Sequence, residues 1–229
     1  MAESVTIRVQ RGNTSGPDHY DDFSVPVEPH TTVLDALEQI RTTQDPSLTY
    51  RHSCHHGSCG TCGMVINGEK KLACLTRPAD MEGSIVEIRP LPMFEPVRDL
   101  AVDPARLFEH FPQDGDYLRE SEFNREAKRP DELGSYQRFE NCIECGLCEN
   151  ACPVVQLRPF MGPAGLAAYN REIEKHPERE SELLETVNAD AGAWGCDRAL
   201  ACSAVCPMGV YPAKHIAILQ RRIKKQQSS

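Results

Sequence analysis

Apolar and polar residues alternate along Val5-Thr6-Ile7-Arg8-Val9 and Phe23-Ser24-Val25-Pro26-Val27, the period of a half-buried strand. The turn-forming stretch Gly12 to Asp18 lies between them, so the two predict a hairpin. Val33, Leu34, Leu37 and Ile40 then recur at helical spacing behind Thr32 and Asp35, which have the spacing of a capping box. Met64-Val65-Ile66 and Lys70-Lys71-Leu72 flank Asn67-Gly68, a dipeptide suited to a tight hairpin turn, and Ile85-Val86-Glu87-Ile88 supplies a last strand. Strand, strand, helix, hairpin and strand predict a β-grasp. Later the period changes: Pro163 and Pro212 stand where first helical turns would begin, and Ile216, Leu219 and Ile223 follow at three- and four-residue intervals. That half is expected to be mainly helical.

Between the halves, the stretch from Glu95 to Ser135 is acidic, holds several prolines and has no sustained apolar period. It reads as a connector, giving an expected division into 1–95, 96–135 and 136–229. The fold class expected is therefore α+β.

Composition narrows the functions. The 229 residues are 40% hydrophobic and 26% charged, enough for a sizeable core, and no stretch approaches the roughly 18 uncharged apolar residues of a membrane-spanning helix. No basic region followed by an apolar one opens the chain, so neither a span nor Sec export is expected. A net charge of -9 with no basic stripe argues against nucleic acid as a partner. The 11 cysteines are an odd number without an export signal, which makes metal ligation a better explanation than disulfides.

Their spacing sharpens that. Cys54, Cys59 and Cys62, with Cys74 beyond, follow the C-x4-C-x2-C…C pattern of plant-type 2Fe-2S ferredoxins. Gly57, Gly60 and Gly63 let backbone amides approach the negatively charged sulfides. Zinc is the competing ligand, and His55 or His56 could serve it, but structural zinc pairs usually form two separated C-x2-4-C units. The two histidines read as ordinary loop residues.

Cys142, Cys145, Cys148 and Cys152-Pro153 match the bacterial run C-x2-C-x2-C-x3-C-P, whose fourth cysteine ligates the other cluster in two-cluster ferredoxins. A second run, Cys196 to Cys206-Pro207, repeats it with Ala199 in the place of one cysteine. Exchange of fourth ligands then gives Cys142, Cys145, Cys148 and Cys206 to a 4Fe-4S cluster. Cys152, Cys196 and Cys202 are left for a 3Fe-4S cluster, and every cysteine is used. One thiolate fewer means less negative charge, so this centre is the expected electron sink. Trp194 beside Cys196 reads as core packing. Arg221, Arg222, Lys224 and Lys225 read as a solvated helix end, with anionic lipid head groups as the alternative partner.

With these motifs the chain resembles, over nearly its whole length, the iron-sulfur subunits of succinate dehydrogenases and fumarate reductases. Phe94-Glu95-Pro96-Val97-Arg98-Asp99-Leu100 is similar to that family's exit from the first domain. Cys145-Gly146-Leu147-Cys148, Ala151-Cys152-Pro153, Met161-Gly162-Pro163-Ala164 and Gly192-Ala193-Trp194 look more like the fumarate reductases. The resemblance implies a flavoprotein partner carrying FAD and the dicarboxylate site. It also implies a membrane anchor with quinone and sometimes haem, and a peripheral place on the cytoplasmic face of a bacterial inner membrane. Members that reduce ubiquinone carry a Trp shortly after the first C-P; Val154, Val155, Gln156 and Leu157 stand here, which favours a menaquinone. A freestanding multi-cluster ferredoxin and a zinc-bound scaffold are the competing functions.

Overall fold

A computed structural model describes residues 3–13, 16–112 and 141–228. Strands β1 (Glu3–Asn13) and β2 (Gly16–Val27) pair antiparallel, and both run further into the expected turn region than local alternation suggests. Helix α1 (Val33–Thr43) buries Val33, Leu34, Ala36, Leu37 and Ile40. Its start is the capping box: the Asp35 amide donates to Thr32 Oγ1 at 3.1 Å and the Thr32 amide to Asp35 Oδ2 at 2.9 Å, satisfying two amides that a helix leaves unpaired. Strands β3 (Gly63–Ile66) and β4 (Glu69–Leu72) are joined at Asn67 and Gly68, with φ of 46° and 82°, the left-handed pair that an Asn-Gly hairpin turn requires.

Strand β5 (Ile85–Arg89) lies between β3 and β1, antiparallel to the first and parallel to the second, which completes the β-grasp. The sheet continues into the span expected as connector. Strands β6 (Glu95–Arg98) and β7 (Ala101–Asp103) pair with each other, and Arg98 of β6 pairs with Asn13 of β1. Residues 113–140, which hold the rest of that span, lie outside the described residues.

A short helix, α2 (Ala105–Phe108), ends the first part, and the rest of the described chain is helical: α3 (Leu147–Ala151), α4 (Pro153–Leu157), α5 (Gly162–Lys175), α6 (Glu180–Val187), α7 (Ala201–Ala204) and α8 (Pro212–Gln227). Pro163 and Pro212 occupy first turns, where the missing N–H costs nothing. Ile216, Leu219 and Ile223 form one buried face of α8, packed with Leu166 and Ile173 of α5. The two parts share one apolar core: Leu91, Phe94 and Leu107 pack in the same cluster as Leu147, Ala164 and Val210. At that seam the buried Asn150 accepts from the Met93 amide at 2.8 Å and donates to the Gly146 carbonyl at 3.0 Å.

Candidate iron-sulfur sites

The loop from Cys54 to Cys62 bridges α1 and β3 without regular structure, and three of its residues, His55, Gly57 and Gly60, have φ of 60°, 77° and 71°. These left-handed turns fold the amides inward. Cys54 Sγ accepts from the amides of His56, Ser58 and Cys59 at 3.5, 3.2 and 3.3 Å, and Cys59 Sγ accepts from the Cys54 amide at 3.5 Å. Those amides, led by that of His56, stabilise the thiolate and lower Cys54 to about 6. Cys74 arrives from a 3-10 turn, Ala73–Leu75, and burial pushes its close neighbour Cys62 up to about 12. One rim of the group is therefore amide-rich and the other apolar. A Cβ on Gly57 would stand 2.9 Å from Leu75 Cδ1, the end of an exposed side chain that can turn away, so it is the φ of 77° that favours glycine there.

Cys142, Cys145, Cys148 and Cys206 line one cavity walled by Leu107, Leu147, Ala164 and Val210. Burial pushes Cys142 to about 12, Cys145 to about 11 and Cys148 well above its usual value. A thiolate in such a place is stable only beside a cation, which is what ferric iron supplies. The Val210 amide donates to Cys206 Sγ at 3.3 Å, so this remote cysteine is oriented from its own loop.

Cys152 stands at the joint between α3 and α4, Cys196 follows the 3-10 turn Ala193–Gly195, and Cys202 lies in α7. Burial first, and then the negative charge that Cys152 and Cys196 would carry, pushes Cys202 up to about 11. The repeat of the two runs is also a repeat of backbone. Glu144 and Gly146 have φ of 53° and 71°, and Arg198 and Leu200 have 57° and 60° at the matching positions. Ala199 thus occupies the place that Cys145 holds in the first run.

The groups adjoin in sequence. A Cβ on Gly60 would meet the Ile143 carbonyl oxygen and lie 3.0 Å from Cys145 Cα, so the first loop rests directly on the second. In turn α7, which carries Cys202, packs on α3, which carries Cys148. All eleven cysteines are free, so none is lost to a disulfide, and the donor set, the inward amides and the apolar walls fit iron-sulfur clusters.

Comparisons with known proteins agree. The family described as a 2Fe-2S iron-sulfur cluster binding domain matches residues 6–109, and the one described as a 4Fe-4S dicluster domain matches residues 138–210. The fumarate reductase iron-sulfur subunit of Wolinella succinogenes is 35% identical over 97% of this chain and 98% of the relative. The chain belongs to the iron-sulfur subunits of fumarate reductases and succinate dehydrogenases. The succinate dehydrogenase iron-sulfur subunit of Coxiella burnetii is 31% identical over 98% of this chain and 99% of its own. A solved structure, the Mycobacterium smegmatis Sdh1 complex in the apo form, superposes with a TM-score of 0.81 at 27% identity, covering 100% of this chain and 99% of that one. As a member of this family the chain is an electron-transfer subunit of an oxidoreductase with a 2Fe-2S ferredoxin domain followed by a helical dicluster domain.

Two residues depart from sequence expectation. Trp194, expected in the core, is 36% exposed, with Lys224 Nζ 5.7 Å above its ring and its indole N–H donating to Asn188. Glu149, which no motif singled out, is buried beside Cys148 and accepts from the Ala164 amide at 2.8 Å, fixing the start of α5 against the cysteine cavity. Glu144 and Glu149 both stand within the first cysteine run, and nothing in the sequence separates the buried one from the exposed one. Among the described residues no helix is long and apolar enough to cross a membrane.

Proposed function

We propose that this chain conducts electrons between the FAD of a flavoprotein subunit and a quinone held by a membrane anchor, as the peripheral subunit of a succinate:quinone or quinol:fumarate oxidoreductase on the cytoplasmic face of a bacterial membrane. In this reading Cys54, Cys59, Cys62 and Cys74 hold a 2Fe-2S cluster, Cys142, Cys145, Cys148 and Cys206 a 4Fe-4S cluster, and Cys152, Cys196 and Cys202 a 3Fe-4S cluster. The boundary along the chain between the two ferredoxin parts falls within the span 96–135. Iron-sulfur clusters, when bound, take up and release single electrons. The residues supply position and potential: amides around Cys54 offset negative charge, apolar walls around Cys142, Cys145 and Cys148 exclude water, and Ala199 withholds a fourth thiolate from the last centre.

The observation that carries this reading is the order of the cysteine groups, with Gly60 against Cys145 and with α3, the helix of Cys148, packed on α7, the helix of Cys202, which suits a relay better than separate sites. The dicarboxylate chemistry belongs to the flavoprotein partner. Val154 to Leu157 after the first C-P favour a menaquinone. Purification of the native complex from membranes, with assays of succinate oxidation and of quinol-driven fumarate reduction, tests it. A flavoprotein and an anchor should copurify and both assays should respond; an active chain without either partner would favour the freestanding ferredoxin.

A further inference from the structure

The cysteines leave unexplained a second group of metal-binding side chains on the outer rim of the first loop. Glu38 on α1 and His52 and His55 on the loop each present one donor atom within 4.8 Å of the other two. His52 Nε2 lies 3.4 Å from Glu38 Oε1, and His52 Nδ1 lies 3.3 Å from His55 Nε2. An imidazole gives one nitrogen to an ion, so these two contacts are not used together. With a single His52 nitrogen the three donors still lie within 4.8 Å of one another, and turning the exposed His55 ring would bring them to the about 3.4 Å separation that bonds of about 2.1 Å to a tetrahedral ion require.

The arrangement is oriented from outside. The Tyr50 hydroxyl donates to Glu38 Oε1 at 2.7 Å, and Arg41 Nη2 donates to both carboxylate oxygens at 3.1 Å. His55 is aimed by a left-handed backbone, φ 60°, a conformation that non-glycine residues seldom adopt. Its ring then stands edge-on to His52 at 5.4 Å. Glu38 and His52 are about a quarter exposed and His55 is exposed, so an ion can enter from solvent. Nitrogen and carboxylate donors without sulfur select zinc-class divalent transition metals over calcium or magnesium.

We propose that Glu38, His52 and His55 form a binding site for one divalent transition-metal ion of the zinc class, with solvent completing the coordination. Arg41 shares Glu38 and repels a cation, which holds the affinity below that of a closed structural site.

The test uses the untagged, cluster-loaded complex under anaerobic conditions, titrated with zinc against a chromophoric chelator. One zinc per iron-sulfur subunit is expected. Glu38→Gln and His55→Gln, each with iron content verified as full, should weaken binding at least tenfold, and Arg41→Gln should tighten it. The zinc absorption edge should report nitrogen and oxygen neighbours at about 2.0–2.1 Å. Absence of saturable binding in the unaltered complex, equal affinity in all variants, or sulfur neighbours at about 2.3 Å, which would mean zinc in a cysteine site, would each overturn the proposal.

Discussion

Gly60 in the first cysteine loop lies against Cys145 in the second, so closely that a Cβ on Gly60 would fall 3.0 Å from Cys145 Cα. With φ of 71° as well, the position excludes side chains on two grounds, backbone strain and space. Gly60→Ala should push the loops apart and slow the passage of electrons between them severalfold, while both centres stay assembled. Rapid-mixing reduction of the complex by succinate, followed by EPR of each centre, checks this. Unaltered rates at both centres would mean that the contact does not set the distance.

Ala199 carries a prediction about cluster type. Its neighbours Arg198 and Leu200 repeat the left-handed turns of Glu144 and Gly146, so the backbone already presents the position as Cys145 is presented. Ala199→Cys should convert the trinuclear centre toward 4Fe-4S. EPR of the air-oxidised complex should lose the near-isotropic 3Fe-4S signal. That signal at full intensity would sink the ligand assignment.

Asn150 ties the two halves through the hydrogen bond it accepts from the Met93 amide, and it has no exposure to solvent. Asn150→Ala would leave the part-buried Met93 amide without this partner, while the Gly146 carbonyl keeps its bond from the backbone amide of residue 150, at a cost of about 1–3 kcal/mol. Thermal melting followed by loss of visible cluster absorbance should begin several degrees lower. A melting curve that overlays the unaltered protein would show that the seam is held by apolar packing alone.

Much of the fold was legible because its signals are local. The Asn67-Gly68 turn, the Thr32-Asp35 cap and the prolines opening α5 and α8 each act within a few residues. Strands β6 and β7 were not, because every residue of β6 is exposed, Pro96 interrupts it, and the pairing that holds it reaches back to Asn13. The cysteine spacing revealed which thiols could act together. It could not reveal that Gly60 touches Cys145, that Glu38 on a helix faces His52 on a loop, or that Leu200 adopts a backbone usually left to glycine, since each depends on segments distant in sequence or on an atypical residue. Trp194 is exposed because its indole N–H is satisfied by Asn188 at the surface and its ring is covered on one face by Lys224, an arrangement set by α8 packing.

Under the proposed function, electrons from the flavin reach quinone only through the last cysteine group. Cys202 is the member of that group on α7 and, like Cys152, is buried. The most direct measurement is a pair of assays on a Cys202→Ser complex whose subunit content shows full assembly, since loss of a cluster can unfold its domain. Succinate-driven reduction of quinone should fall at least tenfold, while reduction of an artificial dye that takes electrons directly from flavin stays near the unaltered rate. Equal loss of both activities in the assembled complex, or full retention of quinone reduction, would contradict the account.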